Sequence, residues 1–197
     1  MDVHTGAVPS DVVVIVLTGG TGARLGGADK ATLVLHGATP LSLIVDALPG
    51  DVDIVVSGPP LPLLRQVTFR QEQPPGGGPV AGIAAALDGT QAPLVGVIAV
   101  DMPWAVPVLL SAIDRLRESP DTDVAVPIDR DGRRQPLCCA WRADRLRACL
   151  PANTQGAPVR ALLQGAVVLE FTPGTDNLLD DIDTPDDLER ALRRSDP

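Results

Sequence analysis

Short apolar runs alternate with amphipathic segments along the chain, and this alternation constrains the fold more than any other feature. The apolar runs are continuous and rich in Val and Ile, which is typical of strands buried on both faces. They predict strands over 12–17, 52–57, 94–100, 124–127, 136–141 and 166–171. The segments between and after them predict helices over 40–48, 79–87, 107–117, 142–150, 158–163 and 185–194. This order predicts an α/β/α sandwich around a mainly parallel sheet.

Local signals refine this arrangement. Residues 129–134 stand between two predicted strands and indicate a small hairpin insertion. Thr184 is the predicted N-cap of the last helix, with Asp187 three residues further on. We find no internal repeat and no linker, so we expect one domain over 11–197, preceded by a disordered tail over 1–10.

Composition excludes several classes of partner. Sixteen basic against 25 acidic residues give a net charge of −9, which argues against nucleic-acid binding. The chain has two Trp, two Phe and no Tyr, too few for base-stacking platforms. No apolar run approaches the ~20 residues that span a bilayer. Three cysteines without a CxxC motif, and no basic leader, indicate reduced thiols in the cytoplasm and no zinc site.

The loop after the first strand concentrates glycine and positive charge. Five glycines lie between Gly19 and Lys30, and Lys30 is the one lysine of the chain. Such backbone can turn its N–H groups toward a phosphate, with Arg24 and Lys30 as charge partners. Neither the Walker A pattern nor GxGxxG is met, because Ala31 follows Lys30 and Leu25 stands at the third glycine position.

The segment Leu17-Thr-Gly-Gly-x-x-x-Arg-Leu-Gly-Gly-x-Asp-Lys30 resembles the signature loop of the molybdenum cofactor guanylyltransferases, within the wider nucleotidyltransferase family. That resemblance implies a Rossmann-like three-layer fold. It also implies that the loop wraps a nucleoside triphosphate, with Arg24 and Lys30 on its phosphates. The nucleotide-binding residues implied in this loop are Leu17, Gly19, Gly20, Gly22, Arg24 and Lys30.

The resemblance extends over residues 12–192. Glu72, followed by Gly78-Pro-Val-Ala-Gly82, is similar to the element that contributes to nucleoside binding. Val100-Asp101-Met-Pro resembles the family's metal site, with Val in place of Cys. The segment around Arg160 resembles the one near the pterin substrate. The stretch that begins at Asp181 resembles the closing Asn-x-Asn-Thr-Pro-Glu-Asp-Leu, with aspartates at 181 and 183 in place of the two asparagines.

Several of these residues keep an alternative interpretation. Asp101 after a buried strand suits Mg²⁺, as does Asp183. Asp101 could instead be an N-cap or turn former before the helix at Pro107, and Asp183 could instead belong to a solvated helix start. Glu72 is as compatible with a surface acid as with a nucleoside ligand. Arg160 and Asp181 are acceptor-side candidates, and Arg160 could instead be an ordinary exposed cation.

The implied reaction is Mg²⁺-dependent transfer of GMP from GTP to the terminal phosphate of molybdopterin, with release of pyrophosphate. Arg24, Lys30 and Asp101 are the expected catalytic residues. An anionic phosphate nucleophile needs no histidine base, only alignment and charge neutralisation. The family also implies contact with molybdoenzyme assembly proteins. Three alternatives stay open: a cytidylyltransferase, a sugar-phosphate nucleotidyltransferase and a non-catalytic nucleotide-binding relative.

Overall fold

The computed structural model of the chain describes residues 10–19, 30–175 and 177–194. Of the predicted N-terminal tail, only Ser10 falls within these ranges. Within the same ranges, no helix is long and apolar enough to cross a membrane.

Seven strands form one sheet in the described residues, in the order β3-β2-β1-β4-β6-β5-β7. Only β6 runs against its neighbours β4 and β5, so the predicted mainly parallel sheet is confirmed. The strands are β1 Val12–Leu17, β2 Asp53–Ser57, β3 Thr68–Arg70, β4 Leu94–Ala99, β5 Val124–Pro127, β6 Cys138–Arg142 and β7 Val168–Phe171.

Helices cover both faces of the sheet. Alternate residues of β1 enter two different cores, Val14 on one face and Ile15 on the other, as the two-residue period of a strand requires. Helices α1 and α3 pack on the first face, and α2 and α4 on the second, which confirms the three-layer sandwich. The helices are α1 Pro40–Ala47, α2 Pro79–Leu87, α3 Val106–Glu118, α4 Ala143–Cys149 and α5 Pro185–Arg193.

The structure corrects two elements of the sequence prediction. Strand β3 has only three residues, none of them buried, so it carries no apolar run that a pattern search could detect. It is ordered by pairing with the buried strand β2. The helix predicted over 158–163 is a 3₁₀ helix, Val159–Leu163, as expected for so short a segment. The predicted hairpin is present, with Ala125 of β5 opposite Ala140 of β6.

The start of α5 is fixed by the predicted cap. The Thr184 hydroxyl accepts from the Asp187 amide at 3.2 Å, and Asp187 Oδ2 accepts from the Thr184 amide at 2.7 Å. The same Oδ2 also accepts from the Asp183 amide at 3.1 Å. Because these bonds fix the backbone at 183 and 184, they also hold the Asp183 side chain at the edge of the sheet.

Candidate active site

Strands β2, β1 and β4 end side by side, and the site is built on their carboxyl ends. Leu17 O accepts from the Val100 amide at 2.9 Å, and Ser57 O accepts from the Thr18 amide at 3.2 Å. These bonds continue the sheet beyond its formal ends and bring the chain after each strand to one edge. In open α/β sheets this is the edge where ligands bind.

A cavity of about 410 Å³ opens between the ends of β1 and β2 and the start of α2. It is lined by Leu17, Gly19, Glu72, Gly78 and Gly82, all of them predicted nucleotide-binding residues. The structure therefore brings together residues that are up to 65 positions apart in the sequence. Three other predicted residues of the loop, Gly20, Gly22 and Arg24, lie outside the described residues.

Helix α2 points its amino end at this cavity. Its N-cap is Gly78, with φ +85°, and Pro79 follows in the first turn. A left-handed φ favours glycine, and the amides of a helix start together with its dipole favour a negatively charged ligand. The start of α2 can therefore contribute backbone donors to an anion.

Gly82 has a packing role in addition to lining the cavity. A Cβ at this position would lie 2.5 Å from Ser57 Oγ and 3.4 Å from Leu17 Cδ2. A side chain at 82 would have to displace the Ser57 hydroxyl, so glycine allows α2 to approach the ends of β1 and β2 this closely. Its place in the motif is thus explained by the narrow gap between helix and sheet.

Three further residues of the cavity wall escaped the sequence prediction. Thr18 Oγ1 donates to Ser57 O at 2.8 Å, and a Cβ at Gly58, where φ is +154°, would overlap that hydroxyl. Ser57 is only 4% exposed, yet it lines the cavity. The sequence signal that could have identified them is a polar residue or a glycine at the end of a predicted buried strand.

Beside the cavity, where the neighbouring strand β4 ends, Lys30 lies between two carboxylates. Its Nζ donates to Asp101 Oδ2 at 2.9 Å and also forms an ion pair with Asp183. The side chain of Lys30 is 11% exposed, against 24% for Asp101 and 37% for Asp183. The structure thus brings together three of the charged residues that the motifs singled out, although Asp183 follows Lys30 by 153 positions.

The charge of this cluster is unbalanced. Burial on its own would lower the pKa of Lys30, but the hydrogen bonds to Asp183 and Asp101 outweigh it and raise the pKa. Burial, and then the negative charges of Asp183 and Asp101, raise the pKa of Asp181. One ammonium therefore pairs with two carboxylates, and the carboxyl group of Asp181 lies close to both of them, so the cluster favours an additional cation.

The donor set fits Mg²⁺ bound together with a nucleotide. Within the described parts of the chain, no group of three or more His, Cys, Asp or Glu side chains is arranged to hold a metal ion. Mg²⁺ bound with a nucleotide typically takes one or two carboxylates and completes its shell with phosphate oxygens and water. Asp101 and Asp183 both contact Lys30 Nζ at the edge of the sheet, so the chain offers two neighbouring carboxylates to such an ion.

The remaining predicted residues are placed differently. Glu72 Oε1 accepts from the amides of Gly76 and Gly77 at 3.0 and 3.1 Å, so it shapes the cavity wall. Arg160 is exposed on the 3₁₀ helix and forms no hydrogen bond or ion pair with another described residue. Asp181 lines a separate cavity of about 310 Å³ beside Trp104 and α5. Arg160 does not line that cavity, so the structure does not bring these two acceptor-side candidates together.

Comparisons with known proteins find relatives that share one name. A relative from Natronomonas pharaonis, named probable molybdenum cofactor guanylyltransferase, is 25% identical over 91% of this chain and 96% of its own length. A protein of the same name from Mycobacterium tuberculosis is 35% identical over 66% of this chain and 67% of its own.

Among solved structures, molybdopterin-guanine dinucleotide biosynthesis protein A from Archaeoglobus fulgidus matches with a TM-score of 0.70. The two are 23% identical, and the match covers 92% of this chain and 97% of that one. At this identity, the structural match supports the fold. The family model described as MobA-like NTP transferase domain matches residues 14–170, most of the chain, and the protein therefore belongs to this family of nucleotidyltransferases.

Proposed function

We propose that the protein transfers GMP from GTP to the terminal phosphate of molybdopterin and releases pyrophosphate, in a reaction that depends on Mg²⁺. The observation that carries the proposal is the meeting of Lys30, Asp101 and Asp183 one strand away from the cavity at the end of β1. The names of the curated relatives support the choice of guanine and of the pterin acceptor.

The cavity is the proposed nucleoside site. Its apolar wall includes Leu17 and Leu61, and its polar groups are the Ser57 hydroxyl, Glu72 and the backbone at the start of α2. A base can be held there by backbone and apolar contacts, which suits a cavity where none of the described lining residues is aromatic. The phosphates would then extend along the end of β1 toward Lys30. We assign Gly20, Gly22 and Arg24 to phosphate binding, and this assignment comes from the resemblance to the signature loop alone.

Asp101 and Asp183 are the proposed Mg²⁺ ligands. When bound there, the ion would neutralise the charge that develops on the triphosphate and on the leaving pyrophosphate. The chain's own contribution is to hold the two carboxylates in place. Asp101 O accepts from the Ile182 amide at 2.9 Å, so the backbone at 101 and the segment that carries Asp183 are tied together.

The nucleophile needs no general base from the protein. A phosphate oxygen of the acceptor attacks the α-phosphorus, a new O–P bond forms, and the bond to the β-phosphate bridge breaks as pyrophosphate leaves. The attacking oxygen is anionic at neutral pH, so alignment and charge neutralisation are what remains to be supplied. His36, the histidine within the described residues, lies in a turn with φ +50° and lines neither of these two cavities.

The acceptor side is assigned to two residues. Arg160 and Asp181 stay candidates there, Arg160 because it is a cation without a partner among the described residues and Asp181 because it adjoins the Lys30 cluster. The reduced thiols of the chain fit a cytoplasmic enzyme, and delivery of the product to molybdoenzyme assembly proteins completes the proposal.

A nucleotide panel tests the proposal. Thermal unfolding is followed with GTP, CTP, ATP and UTP, each with Mg²⁺ and all at the same concentration. That concentration is near 100 times the dissociation constant for GTP, where binding at one site stabilises the protein by ~2.7 kcal/mol. We expect a shift with GTP that exceeds the other three. A shift with CTP alone would favour the cytidylyl alternative. No shift with any nucleotide would contradict the proposal.

A further inference from the structure

The wall of the nucleotide cavity between β3 and α2 is made of three consecutive glycines, residues 76–78. Gly76 and Gly78 line the cavity, whereas Gly77 is buried behind them. Glu72 Oε1 accepts from both the Gly76 and the Gly77 amides. This carboxylate therefore fixes the backbone N–H groups of the wall.

A second segment fixes the same wall from the opposite side. The Gly156 amide donates to Gly77 O at 2.8 Å. The Gln155 side chain fills the space beside Gly77, because a Cβ at Gly77 would lie 2.6 Å from Gln155 Cδ and Nε2. Gly77 is thus held at its N–H by Glu72 and at its carbonyl by Gly156.

The segment that reaches Gly77 is a turn over residues 153–157, which we call the 153–157 turn. The Gln155 amide donates to Asn153 Oδ1 at 3.1 Å, and the Ala157 amide donates to Thr154 O at 3.3 Å. The turn leads directly into the 3₁₀ helix, where Leu162 packs in the same core as α2. It is therefore anchored to the body of the protein and can act as a support.

The conformation of the turn depends on Gly156. Its φ is +68°, and a Cβ there would meet no atom within 4 Å. A side chain at 156 therefore has room, and the cost of adding one is confined to the backbone. β-Branched residues are strained at such a φ, whereas Asn tolerates it.

We propose that the 153–157 turn is a positioning element for the nucleotide cavity, and that Gly156 and Glu72 together hold the Gly77 peptide groups so that the wall and the start of α2 fit a bound nucleotide. Gly156 acts only through Gly77. This inference rests on the proposed function for the identity of the ligand, but the geometry it invokes belongs to the ligand-free protein.

Three variants test this role. Gly156→Val strains the turn, Gly156→Asn is the conservative replacement, and Gly165→Val is the matched control. Gly165 has φ +78° with equally open space, but it is not part of the cavity wall. Binding of GTP with Mg²⁺ is measured by titration calorimetry, and exchange of the Gly76 and Gly77 amides is measured without ligand.

We expect Gly156→Val to raise the dissociation constant about tenfold, in line with the strain of a left-handed L-residue, and to speed exchange at Gly76 and Gly77. Gly156→Asn should stay within about threefold of the unmodified protein, and Gly165→Val should bind as the unmodified protein does. A comparable loss of melting temperature in the two Val variants would separate this effect from general destabilisation.

The inference is wrong if Gly156→Val changes neither binding nor exchange, or if Gly165→Val weakens binding as much. A failure of the unmodified protein to bind any nucleotide would instead contradict the proposed function. In that case the amide exchange of the ligand-free variants still decides whether the turn supports the wall.

Discussion

Two charged clusters lie at opposite ends of the parallel strands, one at their amino ends (the amino edge) and one at their carboxyl ends (the carboxyl edge). The central side chains of the two clusters are equally shielded from solvent. At the amino edge, the Asp123 side chain is 11% exposed and pairs with Arg145 at 2.8 Å, while its Oδ2 accepts from the Val167 amide at 2.8 Å. At the carboxyl edge, the Lys30 side chain is also 11% exposed and pairs with Asp101 and Asp183.

The clusters differ in charge balance. Asp123 faces the Arg145 guanidinium and a backbone amide, and the charge of Arg142 acts on it as well, so its negative charge is fully matched by positive charge. Lys30 faces two carboxylates, with Asp181 close enough for its pKa to respond to them. The first arrangement serves stability by joining β5, β7 and α4. The second leaves excess negative charge where ligands bind, which is the pattern expected of a functional site.

The largest expected effect comes from the carboxyl edge. Asp101→Asn should lower the rate of nucleotidyl transfer by at least about 100-fold, because charge stabilisation of the transition state is lost. The free energy of unfolding should change by less than about 1 kcal/mol. Rates and urea unfolding are measured together, and Asp131→Asn, at a side chain 59% exposed, is the control. Full activity in Asp101→Asn would end the assignment.

Asp123→Asn should have the opposite profile. It should lower the free energy of unfolding by about 2 kcal/mol, because Arg145 and the Val167 amide lose a charged partner, while the rate per folded molecule stays unchanged. Asp114→Asn is the control, since its ion pair with Arg117 is exposed and contributes little. If Asp123→Asn reduced activity more than stability, the division into a structural and a functional cluster would fail.

The stability effect of Asp123 should depend on pH in a defined direction. Burial on its own would raise the pKa of this carboxyl, but the bonds from the Val167 amide and from Arg145 outweigh it and lower the pKa. The folded protein therefore holds the carboxylate ionised at a pH where the unfolded chain is protonated. The contribution is complete above the unfolded pKa of about 3.9 and is lost as pH falls through the folded value.

Urea unfolding of the unmodified protein and of Asp123→Asn between pH 2.5 and 7 measures this loss. The difference between the two free energies should be largest at neutral pH and shrink toward zero in acid. A difference that stays constant across the range would show that the carboxylate charge contributes nothing.

Lys30→Ala should raise the dissociation constant for GTP with Mg²⁺ by at least about tenfold, because a positive charge near the phosphates is lost. Lys30→Arg should restore the affinity for GTP only in part, since a planar guanidinium does not replace a compact ammonium at a crowded position. Arg117→Ala, which removes an exposed cation paired with Asp11 and Asp114, should bind as the unmodified protein does. An unchanged dissociation constant in Lys30→Ala would count against the loop assignment.

The cysteines provide a third case for the comparison, because two of their thiol groups are buried without an oppositely charged partner. Burial raises the pKa of Cys139 to about 12, although its hydrogen bond with Trp141 opposes the shift, and burial also raises the pKa of Cys138. Both thiols should therefore be inert in the folded protein, while the partly exposed Cys149 reacts. Ellman's reagent should titrate one thiol under native conditions and three in denaturant. Native reaction of all three would contradict the buried placement.

The sequence predicted the parts of this protein in which local pattern and final environment coincide. Continuous Val-rich runs predicted β1 and β4, and the cap at Thr184 predicted the start of α5. Lys30, Asp101 and Asp183 were singled out by motif, but their meeting depends on the strand order, which no local pattern contains. The support from Gly156 to Gly77 was not predictable, because it joins two glycine-containing turns that are 79 residues apart.

The central claim is tested most directly by the transfer reaction itself. The protein is incubated with Mg²⁺, molybdopterin and either GTP or CTP, and pyrophosphate and the dinucleotide product are quantified together. We predict equal amounts of pyrophosphate and guanine dinucleotide with GTP, and neither product when molybdopterin is omitted. The absence of dinucleotide with GTP, or its formation with CTP alone, would contradict the proposed function.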